Sequence, residues 1–277
     1  MNFSSVHLLR FCTLATMGFL TSAGALAQVS KLDDASSQLA KQLKPLKPRL
    51  IAVVDFCSPE GEAVPLGHYF ASTISDFLQQ HEKKSHVAEH AAFDADLANL
   101  RISCSNLVPG PSLQAAAPHL GTDFLVIGTI QKRNNSYVLQ FSPVRVADGN
   151  ALKPTFIEVE ASEFLDSFAR PLPPGVLHLN RKVRNNELDM PLCQHCPDPS
   201  YTGPGRHYEV QGTAILEVLI STNGNAQQIR PVRLLGYGLD EQAFDAIKKW
   251  RFKPATLRKD GTPVAVIIPV EITFRLF

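Results

Sequence analysis

The run Cys193-Gln194-His195-Cys196 is the arrangement in this chain most capable of chemistry. A C-x-x-C with an internal histidine suits thiol–disulfide exchange when a helix N-terminus lowers the thiol pKa. Here Pro191 and Pro197 flank the run, no βαβ pattern precedes it and no helix signal clearly follows. A small disulfide staple is therefore the expectation, with a thiol oxidoreductase using Cys193 and Cys196 as the alternative. Zinc would want four ligands, and Cys193, His195 and Cys196 at i, i+2 and i+3 are cramped for that. His81, His86 and His90, beside Lys83 and Lys84, read as a solvated polar face rather than a metal site. Asp55 closes an apolar run and reads as a turn cap rather than a catalytic acid. Asp94 and Asp96 fall on different helix faces and make no acid–base couple. G-x-S-x-G, the P-loop, G-x-G-x-x-G and H-E-x-x-H are all absent from the sequence. The chain is read as a non-enzyme with no catalytic residue, cofactor or metal.

Composition places these residues in an exported globular chain. Hydrophobic residues at 44% and charged residues at 19% suit folded domains rather than disorder. A net charge of +1 provides no broad basic footprint, so nucleic acid is not an expected partner. Residues 1–27 read as a signal peptide: Arg10, an apolar run from Phe11 to Leu20, then Ala25-Leu26-Ala27 before Gln28. A retained inner-membrane anchor is the alternative. Cys12 lies within this segment. Four cysteines remain beyond it, and an even count in an exported chain suggests disulfides. Cys57–Cys104 and Cys193–Cys196 is the simplest of three pairings.

The elements that must position these residues follow from periodicity. Residues 28–48 are polar and read as a leader ended by Lys44-Pro45-Leu46-Lys47-Pro48. Leu50 to Phe56 and Asp123 to Ile130 read as buried strands, with a helix from Leu66 to Leu78 between them. Weaker helices are expected near Ala91–Leu100 and Ser112–Leu120. Tyr137–Ala147 and Thr155–Ala161 complete a meander, giving an α/β domain over 49–165. Residues 166–198 read as a proline-bearing linker. A β-β-α-β unit then runs from 199 to 277: strand Thr213–Ile220, turn Thr222–Asn225, strand Ile229–Leu235, a helix, and strand Val264–Phe274. The fold class is α+β. In the helix, Asp240 and Glu241 suit the N-terminal dipole and Lys248, Lys249 and Arg251 the C-terminal one. Pro254 blocks its continuation, so Trp250-Arg251-Phe252 reads as a helix-to-strand hinge with a core tryptophan.

Pro199, Tyr201, Gln211-Gly212-Thr213, Asn223-Gly224, Gly238-Leu239-Asp240, Ala243, Ala246, Trp250-Arg251-Phe252, Pro254-Ala255, Gly261-Thr262-Pro263-Val264 and Val270–Phe274 agree in order with one family. This run resembles the TonB C-terminal domain. The family's short helix after the tyrosine is not expected here, because Thr202-Gly203-Pro204-Gly205 disfavours one. Its long Pro/Lys spacer is also missing. The resemblance implies a periplasmic or cell-envelope protein that docks an extended peptide of an outer-membrane transporter on its last strand. Tyr201, Val266, Val270, Glu271, Ile272, Thr273 and Phe274 would then contact the partner, on an exposed edge that Pro269 interrupts. Leu239, Asp240, Trp250, Arg251, Phe252 and Pro254 would form the structural motif. Inner-membrane motor proteins, another envelope protein, or a second copy in a homodimer are the further partners implied. Ile51–Phe56, Leu120–Ile130 and Val144–Gly149 are similar to the CsgG/FlgO-type envelope domain and to the N-terminal domain of TolB. A structural envelope-assembly subunit is the remaining alternative.

Overall fold

The computed structural model describes residues 20–82, 85–103, 107, 113, 119–179 and 187–276, with side chains from Gln28 onward. Residues 1–19, Cys104 and most of the expected Ser112–Leu120 helix lie outside the described residues.

The expected leader is instead helix α1, Leu20–Leu43, and it belongs to the core. From Gln28 onward polar residues outnumber apolar ones, but Val29, Leu32, Ala35, Leu39 and Leu43 recur every three or four residues and make one apolar stripe. Leu32, Leu39 and Leu43 are fully buried. Ser36 on the same side returns its hydroxyl to the Leu32 carbonyl at 2.9 Å. Pro45 ends the helix in a single 3₁₀ turn. Leu39→Ala should therefore cost about 3 kcal/mol, within the range for large-to-small core changes, which urea unfolding would read. A solvated leader would tolerate the same change.

β1 (Leu50–Val53), α2 (Pro65–His81), β2 (His86–Val87) and α3 (His90–Asn99) follow, then β3 (Phe124–Arg133), β4 (Ser136–Arg145), β5 (Thr155–Glu160) and the short α4 (Glu163–Ser167). The first sheet has the order β2-β1-β3-β4-β5. β1 runs parallel to both β2 and β3, and β3-β4-β5 is an antiparallel meander. Ile51 and Val53 of β1 pack with α2 on one face of this sheet, while Ala52 and Val54 pack with Phe93 and Leu97 of α3 on the other. α2 and α3 thus flank β1 from opposite sides.

The expected linker is also structured. It supplies β6 (Leu177–His178), β7 (Leu188–Asp189) and β8 (Leu192–His195). Each adds to a strand of the chain's last part, because their unpaired backbone groups need partners. α5 (Gly203–His207) comes next, correcting the expectation that Thr202-Gly203-Pro204-Gly205 would not be helical. The Thr202 hydroxyl caps the Gly205 N–H at 3.0 Å, and Pro204 sits in the first turn, where its missing N–H is harmless. Then come β9 (Gly212–Ile220), β10 (Ala226–Arg233), α6 (Leu239–Lys249), β11 (Arg251–Lys253), β12 (Ala255–Leu257), β13 (Pro263–Val264) and β14 (Val266–Phe274). The second large sheet has the order β10-β9-β14-β6. Gly224, at φ +80°, turns the β9–β10 hairpin.

One continuous core runs through both halves. Phe77 of α2 meets Tyr237 edge-on at 4.8 Å, and Phe164 of α4 meets Phe244 of α6 at 5.6 Å. The Tyr69 hydroxyl, fully buried, donates to Glu241 at 2.6 Å. Among the described residues no helix is long and apolar enough to cross a membrane.

Candidate functional site

β14 is the element that could accept a partner. β9 pairs with all nine of its residues on one side, from Val266↔Ile220 to Phe274↔Gly212. On the other side β6 pairs only with Val266 and Ile267. The Leu179 N–H donates to the Ile267 carbonyl, so the main-chain groups of Ile267 face this outer edge. Strand alternation then aims Pro269, Glu271 and Thr273 outward. Pro269 offers a carbonyl only; Glu271 and Thr273 each offer a donor and an acceptor. Among the described residues no strand pairs with these three on the outer side.

The expected contact residues divide accordingly. Val266 lies under β6 and is fully buried. Val270, Ile272 and Phe274 point into the core. Glu271 and Thr273 project to solvent, with Thr273 sharing a hydroxyl hydrogen bond with Thr213 at 2.9 Å. Tyr201 stands edge-on against Phe274 at 5.4 Å and carries the Arg206 guanidinium over its ring. Its own hydroxyl donates to the Val210 carbonyl. Tyr201, Trp250, Asp198, Glu271 and Thr273 line a groove of about 530 Å³ along the open part of the edge.

The hinge holds the far wall of that groove. Trp250 closes α6 in extended geometry and donates its indole N–H to the Pro197 carbonyl at 2.9 Å. β8 pairs with β11, setting Cys193 opposite Phe252. A disulfide joins Cys193 to Cys196. Cys193 thus lies on an exposed strand and Cys196 just past its end, neither at a helix N-terminus, the feature that would make a thiol reactive. Cys57 is disulfide-bonded. Replacing Cys193 and Cys196 together with serine should cost no more than about 2 kcal/mol, because the closed loop is short. Thermal unfolding of the parent and the variant, both without reductant, checks this.

Leu239, Asp240 and Phe252 are buried structural residues; Arg251 is exposed. The Asp240 carboxylate accepts the N–H groups of Leu235 and Gly236 at 2.9 and 2.7 Å, fixing the turn before α6. Burial, with Glu241 beside it, pushes Asp240 up to about 8. Burial also raises Glu241, and raises Asp76 of α2 to about 6. A raised folded-state pKa means that the folded chain binds more protons than the unfolded chain between the two values. The contribution of these groups is complete below pH 4 and declines as the pH rises toward 8. Calorimetry should show the thermal midpoint falling from pH 5 to pH 8, and Asp240→Asn should flatten that slope.

Residues 197–276 match the family described as Gram-negative bacterial TonB protein C-terminal. Protein TonB of Vibrio cholerae serotype O1 is 38% identical over 81 residues, which are 28% of this chain and 32% of that protein. The chain thus spans about a third of the length of that relative. The solution structure of the Pseudomonas aeruginosa TonB C-terminal domain is similar at 18% identity and a TM-score of 0.27, covering 34% of this chain and 91% of that one. The LpoB C-terminal domain from Escherichia coli is similar at 12% identity and a TM-score of 0.35, covering 47% of this chain and 98% of that one.

Proposed function

We propose that this chain is a cell-envelope docking protein whose β14 edge takes an extended segment of an outer-membrane transporter as an added strand. The open main chain from Pro269 to Thr273, beside a groove walled by Tyr201 and Trp250, carries this reading. Main-chain pairing would supply affinity, and the groove would select side chains of the bound segment. The match of residues 197–276 to the TonB C-terminal family supports a transporter as the partner.

Two forms of the function differ in what the rest of the molecule does. In the transducer form, a tethered chain passes force from inner-membrane motor proteins to the transporter. In the adaptor form, the docking edge stands on a rigid platform. The continuous core from α1 through α6 favours the adaptor form, because the edge is fixed to the N-terminal half rather than carried on a free spacer.

A photo-crosslinking residue at Glu271, introduced into the full chain in its native envelope, tests the reading. The expected product joins Glu271 to a transporter segment. A product joining two copies of the chain would mean that the edge serves a homodimer instead, and the docking reading would fall.

A further inference from the structure

The N-terminal half gathers two histidines and two aspartates that the docking function does not use. Asp55 follows β1, His68 lies in the first turn of α2, and His90 and Asp94 lie one turn apart at the start of α3. The Asp55 Oδ1 is 3.0 Å from the His68 Nδ1 and 2.9 Å from the His90 Nε2. The Asp94 Oδ2 is 3.3 Å from each of the same nitrogens. All four atoms lie within 4.8 Å of one another.

We propose that Asp55, His68, His90 and Asp94 bind one divalent transition-metal ion, with zinc the best match to the donor set.

The spacing of the four ligand atoms suits a bound ion. Zinc bonds of about 2.0–2.2 Å in a tetrahedron set neighbouring ligand atoms roughly 3.4 Å apart. The two separations from Asp94, at 3.3 Å, are close to that value, and the two from Asp55, at 3.0 and 2.9 Å, would open by roughly half an ångström to reach it. The orientation of His90 is the second observation. Its Nδ1 lies 2.9 Å from the Val53 carbonyl, which can only accept, so Nδ1 carries the proton. In the neutral ring, Nε2 then turns a lone pair toward two carboxylate oxygens. A histidine whose outer nitrogen is held by a backbone carbonyl is the usual support for a metal ligand. Hydrogen bonds to Asp55 and Asp94 raise His68 to about 10, so an entering ion would displace its proton; the two carboxylates and two neutral imidazoles would then carry a formal charge of −2, which one divalent ion balances.

Topology places the cluster where an open α/β sheet takes ligands. The chain leaves β1 through α2 to β2 on one side and returns through α3 to β3 on the other. Asp55 therefore lies in the crevice beyond the carboxyl end of β1, between helices on opposite faces. The His90 side chain is 5% exposed and that of His68 is 48% exposed, so the site has a buried floor and an open rim through which an ion can enter.

The test uses the untagged full chain, stripped with a chelator and titrated with Co²⁺ and then Zn²⁺ against a chromogenic competitor. One ion per chain is expected, with tetrahedral cobalt absorption and a rise in the thermal midpoint on adding zinc. His68→Ala, at the rim, and Asp94→Asn should each weaken binding about 100-fold, at the upper end of what even outer-shell changes cost. Both variants should keep a cooperative thermal transition without metal, which shows that they fold. If Asp94→Asn fails to fold, His68→Ala alone decides. Absence of stoichiometric binding would overturn the proposal. So would unchanged affinity in the variants, or NMR showing His68 and His90 doubly protonated at neutral pH in the presence of zinc.

Discussion

Tyr69→Ala is expected to destabilise the whole molecule more than any change on the docking edge. Tyr69 is 1% exposed and packs against Phe70, Phe164 and Phe168 with ring centroids 5.1–5.5 Å away. Emptying a site of that size costs about 3–5 kcal/mol. Losing the phenol also strips Glu241 of its hydrogen bond inside the core, adding roughly 1–3 kcal/mol. The sum is comparable to the whole stability of a typical domain, about 5–15 kcal/mol. Tyr69→Phe separates the two contributions, since it keeps the ring and should lose only the second. Urea unfolding monitored by circular dichroism should show a single transition for the unaltered protein. The transition should move modestly for Tyr69→Phe, and most of the folded signal should be lost for Tyr69→Ala. If Tyr69→Ala unfolds at the same urea concentration as the parent, the shared core is wrong.

Gly67→Ala should be the second large effect, and its sign is opposite to helix propensity. Gly67 lies inside α2, where alanine ordinarily gains about 1 kcal/mol. A Cβ at this position would stand 1.8 Å from the Phe56 carbonyl oxygen and 2.8 Å from its carbon. That obstacle is backbone, so no side chain can rotate away. Phe56 cannot retreat either, because its ring is fully buried and stacked on Phe141 at 5.3 Å. α2 must then slide off the end of β1, at a cost of about 3 kcal/mol, the upper end for overpacking. Calorimetry on the purified variant measures the loss. Zinc affinity should fall with it, since His68 is the next residue. A variant as stable as the parent would contradict the close seating of α2 on β1.

The C-terminal part was legible in the sequence because its signals are local. Strand alternation, the Asn223-Gly224 turn and the apolar face of Ala243 and Ile247 each lie within a dozen residues. α1 was not, because its few apolar residues are diluted among Lys, Gln, Asp and Ser, and only their spacing betrays the stripe. The β6, β7 and β8 strands are too short to show a period, and exist because longer strands offer them an edge. The seam was invisible for another reason: Tyr69 and Glu241 are 172 residues apart, and no local pattern joins them. The Asp55 cluster lies between these cases. The sequence grouped His90 with His81 and His86 as a solvated face, but His90 opens α3 and is buried, and His68 and Asp55 join it and Asp94 only because α2 and α3 both start beyond the end of β1.

Backbone chemistry on the edge tests the docking claim most directly. Thr273→Pro removes an outward N–H that no strand within the described residues uses, whereas Thr273→Val removes only the hydroxyl bonded to Thr213. The measurement is the yield of the Glu271 photo-crosslink in the envelope for the parent and both variants, each confirmed as folded by its thermal transition. Strand addition predicts that Thr273→Val retains the transporter crosslink and Thr273→Pro abolishes it. Equal yields from all three chains would mean that the partner does not pair with the β14 main chain, and the account of this edge as the docking site would be contradicted.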